Sequence, residues 1–208
     1  MFLSLYIKSV IKNMNELRTK KFEDLQGRDY QIVLADPPWQ YYGDPNKNQA
    51  AGKHYKMMSY EELKSLHIRS IMAKKSILFC WTTSSKMSET CKLIEDWGLH
   101  YRGVFQVWVK TSSSGKIIQG QGIRPSFTKP TAEYLLVAST NRTGRAYPLL
   151  TESMANVVLS ARPGNIHSRK PMEFRKNITD LLGDLKRVEL FSRESIDGWD
   201  AWGNEVPT

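Results

Sequence analysis

The feature that most constrains this chain is the run Ile32-Val33-Leu34-Ala35, which passes directly into Asp36-Pro37-Pro38-Trp39. A short apolar, β-branched run predicts a buried strand. Proline cannot donate to a sheet ladder, and the residue before it is pushed away from helix. The chain must therefore leave the sheet at Asp36 as a stiff loop. In an open α/β sheet, ligands bind at the edge where strands end. A carboxylate, fixed carbonyls and an indole at one strand end form a site-like combination, although a turn that merely contains prolines has the same spelling.

The rest of the chain supplies a βαβ rhythm. Ser59-Tyr60-Glu61-Glu62 is a capping box opening a short helix through about Leu66. Ser76 to Trp81 reads as a second buried strand. The next helix carries Met87, Cys91, Ile94 and Trp97 on one face, with Gly98 at its C-terminal cap. Tyr101 to Val109, Glu133 to Ala138, Asn156 to Ser160 and Arg187 to Phe191 are further strand candidates. A helix after Pro171 shows Phe174, Ile178, Leu181 and Leu182 on one face and stops at Gly183. The alternation predicts a parallel α/β sheet. Residues 1–21 have apolar positions at helical spacing and predict an amphipathic leader helix, with 22–208 as a single domain. The tail from Gly198 to Glu205, with Trp199 and Trp202, reads as a core plug or a ligand cradle.

Composition narrows the partner. At 208 residues with a net charge of +9, the chain suits a polyanion such as nucleic acid. Lys110 to Lys129 and the Arg142 to Arg145 segment are polar, basic loops that could hold phosphates or read a target. Cys80 and Cys91 sit in apolar patterns and read as buried thiols in a reducing compartment, and the four histidines lack ligand spacing, so no metal is expected. No apolar run reaches membrane-spanning length. Lys170 falls where Ser or Asp would cap the following helix, so its charge opposes the helix dipole unless an anion faces it; a solvated lysine reads the same way.

An acid, a proline carbonyl and an indole suit one task well. The exocyclic amine of a base is a poor nucleophile that must be held while it attacks an electrophile, and positioning carries most of the rate. Asp36-Pro37-Pro38-Trp39 resembles motif IV of the S-adenosylmethionine-dependent adenine-N6 methyltransferases of the DPPW type. The resemblance runs from about Tyr30 to Val206. It includes Tyr55 to Ser59, Leu78-Phe79-Cys80-Trp81, Val107-Trp108-Val109-Lys110-Thr111, His167-Ser168-Arg169-Lys170-Pro171, Glu189-Leu190-Phe191-Ser192-Arg193 and Gly198 to Glu205.

The resemblance implies a Rossmann-like methyltransferase sheet flanked by helices, with the permuted, β-class motif order: catalytic loop first, cofactor strands last. It makes Asp36, Pro37, Pro38 and Trp39 the catalytic loop, with Asp36 and the Pro37 carbonyl on the adenine amine and Trp39 packed on the base. It places Asp36, Lys170, Arg193, Ser195, Asn204 and Glu205 around S-adenosylmethionine. Tyr55 and Glu133 fall near the target base, and Lys110, Arg124, Arg142 and Arg145 are candidate substrate contacts. Ser192 stands where glycine is frequent, and the Arg193-to-Trp199 spacing is short, as in the prokaryotic or phage branch. That branch implies DNA before RNA and a bacterial or phage-infected cytoplasm; a compact chain with no separate recognition domain also leaves room for a second copy or subunit to help grip the substrate. The alternative from another class is a catalytically silent nucleic-acid-binding partner, which would lack the acidic loop.

Overall fold

The computed structural model describes residues 16–40, 57–120, 127–164 and 169–206. Eight strands form one sheet: β1 (Arg18–Thr19), β2 (Tyr30–Ala35), β3 (Met72–Thr82), β4 (His100–Thr111), β5 (Ala132–Ser139), β6 (Val157–Ala161), β7 (Arg187–Leu190) and β8 (Asp200–Trp202). Their spatial order is β1-β8-β7-β2-β3-β5-β4-β6. Three α-helices are described: α1 (Tyr60–Ser65), α2 (Met87–Asp96) and α3 (Met172–Leu182).

Each element follows from its residues. In β2, Ile32, Val33, Leu34 and Ala35 are all buried, because both faces of this central strand are covered. Val33 and Ala35 point into one core with Leu63, Leu93, Ile94 and Trp97; Ile32 and Leu34 point into another with Phe174, Ile178 and Trp199. The capping box is formed as read: Ser59 accepts from the Glu62 N–H, and the Glu62 carboxylate accepts from the Ser59 N–H. Gly98 takes the left-handed conformation (φ 76°) after α2. Gly183 stops α3 with φ 82°.

Two expectations need correction. The sheet is mixed: β5 runs antiparallel to both neighbours, β3 and β4. The alternating pattern predicts parallel strands because it cannot see that the described residues between β4 and β5, 112–120 and 127–131, hold no crossover helix. Second, residues 16–21 do not continue a helix. Arg18–Thr19 adds to the sheet edge beside β8, Leu17 N–H donates to Asp200, and Ala201 N–H donates to the Leu17 carbonyl. The rest of the expected leader, 1–15, lies outside the described residues. The Trp-rich tail is both core plug and cradle: Trp199 and Trp202 are buried in the two cores and Trp202 to Glu205 wall a hollow, while Asp200–Trp202 also forms β8, paired with β7 so that Leu190 lies opposite Trp202. A three-residue strand is too short to show a period of two.

Seven strands thus point the same way. Asp36, Thr82–Thr83, Lys110, Phe191–Arg193 and Gly203–Glu205 emerge at one edge, which also receives the start of β5 at Glu133. From β2 the chain turns toward β3, and from β7 it turns the opposite way toward β8. The strand order therefore reverses between β7 and β2, which is where an open sheet leaves a crevice.

Candidate active site

Two neighbouring hollows open at that crevice. The larger, about 200 Å³, is walled by Asp36, Pro38, Met58, Glu62, Leu66, Phe191, Ser192, Arg193, Trp202, Gly203, Asn204 and Glu205. The smaller, about 60 Å³, is walled by Asp36, Pro37, Pro38, Trp39, Trp81, Thr82, Thr83, Glu133, Lys170 and Arg193. Asp36, Pro38 and Arg193 belong to both.

The prolines make Asp36-Pro37-Pro38-Trp39 a tight, pinned loop. Trp39 N–H donates to the Pro37 carbonyl at 2.9 Å, Met58 N–H to the Pro38 carbonyl at 2.8 Å, and Gln40 N–H to the Met58 carbonyl at 3.0 Å. Each of these carbonyls keeps a second lone pair. Trp39 is only 6 % exposed. Its ring stacks on Tyr60 at 6.5 Å, and the Lys86 ammonium lies 5.6 Å from its centroid. It is largely buried and forms one wall of the smaller hollow. Its indole N–H is buried and has no acceptor among the described residues.

Behind Asp36 runs an alternating chain of charge. Lys170 Nζ is 2.5 Å from Asp36 Oδ2 and 3.4 Å from Glu133 Oε2, and Lys110 Nζ is 2.5 Å from Glu133 Oε1. Lys170 also lies over the Trp81 ring, and Lys110 over that of Trp108. Burial disfavours the Lys170 charge, but Asp36 and Glu133 outweigh it and hold the ammonium well above its ordinary range. Burial likewise pushes the Glu133 carboxyl up, while Lys170 and Lys110 more than offset this and bring it below its ordinary value. The expected oddity of Lys170 is thus resolved by two anions. It precedes the cap, which is Pro171, rather than occupying it.

A second ion-pair cluster fastens the last loop. Arg175 on α3 holds Glu189 through two bonds of 2.8 and 2.6 Å, both partners being buried. Glu194 is gripped by Arg169 and lies 3.8 Å from Arg175. Sequence spacing gives no sign of these partners, because they come from separate elements. Phe191 adopts φ 60°, a conformation costly for a non-glycine residue, and packs on Trp202 at 5.1 Å. Gly203 is required where β8 leaves the sheet: a Cβ there would lie 2.0 Å from the Ser192 carbonyl oxygen. Met58 before α1, Glu62 within it and Leu66 just after it also wall the larger hollow, and spacing gives no sign of that placement either.

The candidate residues therefore divide. Asp36, Pro37, Pro38, Trp39, Glu133, Lys170 and Arg193 meet around the smaller hollow, and Asp36, Arg193, Asn204 and Glu205 around the larger. Lys170 walls the smaller hollow only. Ser195 walls neither, and its hydroxyl is buried without a partner among the described residues. Lys110 is committed to Glu133 and is not an open phosphate contact. Arg142 and Arg145 follow the end of β5, where Ser139 pairs with Ile77 and His100. The antiparallel course of β5 carries them to the opposite edge, about 25 Å away for an eight-residue strand, so they cannot serve the Asp36 site. Tyr55 and Arg124 lie outside the described residues.

The larger hollow suits a molecule with an aminocarboxylate, hydroxyls and a flat ring: it offers carboxylates, the Asn204 amide, the Arg193 guanidinium, the apolar Met58, Leu66 and Phe191, and close backbone at Gly203. Among the described residues there is no His, Cys, Asp and Glu grouping suited to a metal ion, and no helix is long and apolar enough to cross a membrane.

Comparison with known proteins agrees with this geometry. The chain is 30 % identical to a type II methyltransferase, M.MunI, from a Mycoplasma species, over 98 % of this chain and 90 % of that protein. It is 27 % identical to the N6-methyladenosine RNA methyltransferase MTA1 of Pyricularia oryzae, covering 86 % of this chain but 47 % of that one. To the human N(6)-adenine-specific methyltransferase METTL4 it is 25 % identical, covering 38 % of that protein. The chain thus spans less than half of these two longer relatives. The MT-A70 family pattern matches residues 30–205, from the first residue of β2 to the Glu205 wall of the larger hollow, and the chain belongs to the MT-A70 family of methyltransferases.

Proposed function

We propose that the chain transfers a methyl group from S-adenosylmethionine to the N6 amine of adenine in DNA. One observation carries this reading: the two hollows share Asp36, Pro38 and Arg193 as walls. A methyl donor in the larger hollow and a flat amine-bearing base in the smaller would meet at Asp36. S-adenosylmethionine supplies an electrophilic methyl group on a sulfonium centre. Met58, Leu66 and Phe191 would bound its flat and apolar parts, and Arg193, Asn204 and Glu205 its charged and hydroxyl groups.

The chain's own residues then position the amine. The Asp36 carboxylate has about four acceptor sites, of which Lys170 occupies one. The remaining sites and the second lone pair of the Pro37 carbonyl accept the two amine hydrogens and direct the nitrogen lone pair toward the larger hollow. Lys170, held in turn by Glu133, fixes the carboxylate orientation. No strong base is needed, because the amine becomes acidic as the new N–C bond forms, and Asp36 is placed to receive its proton. Such positioning is worth several orders of magnitude in rate. A base within a duplex must leave the stack to enter so small a hollow.

DNA is favoured over RNA because the chain matches nearly the full length of a type II methyltransferase. A silent partner is disfavoured because the acidic loop is intact and its carboxylate is pre-oriented by Lys170. The test supplies radiolabelled S-adenosylmethionine with duplex DNA, single-stranded DNA or RNA, followed by nucleoside analysis. N6-methyladenine from DNA is expected. N6-methyladenine from RNA alone would move the substrate, and its absence from every polymer would overturn the reading.

A further inference from the structure

We propose that the edge of the sheet opposite Asp36 is a second nucleic-acid surface, which grips the phosphate backbone of DNA apart from the methylated base. The choice of partner rests on the methyltransferase reading above.

The surface is built by a bulge and a turn. Between Tyr30 and Ile32 of β2, β3 advances from Met72 to Ile77, so the intervening residues bulge from the ladder. Lys74 and Lys75 in the bulge are exposed. Beside them, the turn after β5 exposes Arg142 and Arg145, and Arg102 of β4 is exposed next to it.

Hydrogen bonds fix this rim. Tyr147 donates its hydroxyl to the Lys75 carbonyl at 2.5 Å and accepts from Gln31 at 3.2 Å. Ser76 and Thr140 are joined by N–H bonds in both directions. The Arg102 guanidinium donates to the Arg142 and Gly144 carbonyls, both at 2.9 Å. Asn141 donates to the Arg145 carbonyl. Five cations are therefore carried on a braced frame rather than on loose chain.

None of the five takes part in an ion pair among the described residues. Carboxylates also stand at this end, but none is paired with the five among the described residues: Asp96 beside Glu95 at the end of α2 pairs with Lys64, Asp184 pairs with Arg187, Asp29 precedes β2, and Glu152 lies in the segment after the turn. Exposed, unneutralised Lys and Arg on one rim are the footprint of phosphate binding, each neutralised phosphate releasing condensed counterions. The rim lies about 25 Å from the site, the length of about seven base pairs of duplex, so DNA flanking the methylated base reaches it.

The experiment compares the full chain with a variant carrying Lys74→Gln, Lys75→Gln, Arg142→Gln and Arg145→Gln. Arg102 is kept because it braces the turn. Fluorescence anisotropy reads affinity for a duplex of roughly 40 base pairs against salt, with methylation of a saturating single-stranded oligonucleotide as the control. A fall of at least tenfold in affinity is expected. The log–log salt slope should shrink by about 2–4, at ~0.9 for each phosphate no longer neutralised. Oligonucleotide turnover should be unchanged. Unchanged affinity and slope in a chain that methylates adenine would overturn the surface and spare the function. A reduced slope in a chain that methylates nothing would spare the surface and overturn the function.

Discussion

The two edges of the sheet carry charge in opposite ways. At the Asp36 edge cations are spent on anions: Lys170 on Asp36 and Glu133, Lys110 on Glu133, Arg175 on Glu189, and Arg169 on Glu194. At the far edge Lys74, Lys75, Arg102, Arg142 and Arg145 stand without ion-pair partners among the described residues, on a frame of hydrogen bonds to backbone carbonyls. A site that must orient one amine benefits from groups locked against each other before the substrate arrives. A surface that holds a polyanion benefits from cations left unneutralised. Net charge is thus a poor guide to the site and a better guide to the grip.

The strongest way to break this contrast is to remove the group on which the near edge converges. Asp36→Ala should lower kcat by about 10²–10³-fold or more, as for loss of a pre-positioned polar group at a reacting centre. Its affinity for a long duplex should stay within about twofold, because the far rim is untouched. A variant that loses duplex binding along with activity would show the edges to be one surface.

Next in size is Lys170→Met. It leaves Asp36 and Glu133 facing each other with their shared cation gone. Breaking a buried pair costs roughly 3–5 kcal/mol. At about 2–4 °C per kcal/mol for a domain of this size, the Tm should fall by about 6–20 °C in a thermal melt. A fall under about 2 °C, less than one kcal/mol is worth, would mean that the charge chain holds geometry without holding the fold.

How far these arrangements can be read in the chain depends on the range over which they are specified. The strand ending at Asp36, the Ser59 cap and the Gly183 stop are local, and single residues with known backbone preferences dictate them. Lys170 is visible as a conflict with the helix dipole but not as a partner of Glu133, since the two lie on the entry to α3 and on β5. Arg142 and Arg145 read as site residues only if every basic loop reaches the same edge. One antiparallel strand reverses that, and strand direction is a property of pairing, not of composition. The Arg175–Glu189 pair leaves no local trace, because a buried arginine on an amphipathic helix spells like an exposed one.

A milder perturbation asks whether the near edge responds to pH as paired groups should. The Glu133 carboxyl lies below its unfolded value, so its contribution to stability is complete above about pH 4.3 and is lost as the pH falls through the folded value. The Lys170 ammonium lies above its unfolded value, so its contribution is complete below about pH 10.4 and is lost as the pH rises beyond it. Glu133→Gln should therefore flatten the acid limb of Tm against pH, while the four-residue rim variant should leave that limb unchanged. An acid limb as steep in Glu133→Gln as in the parent would place the titrating group elsewhere.

The smallest effect is expected from Tyr147→Phe at the far edge. It deletes one hydroxyl that donates to the Lys75 carbonyl and accepts from Gln31. Each of these two neutral hydrogen bonds contributes about 0.5–1.5 kcal/mol, so the Tm should drop by about 2–12 °C. All five cations remain, so duplex affinity should fall severalfold only if the brace matters to the grip. The salt slope should hold, because no cation has been removed. Affinity and slope dropping together would mean that Lys74 and Lys75 leave the surface when the bulge relaxes. Affinity dropping at constant slope would identify the brace as preorganisation, the far-edge counterpart of what Lys170 does for Asp36.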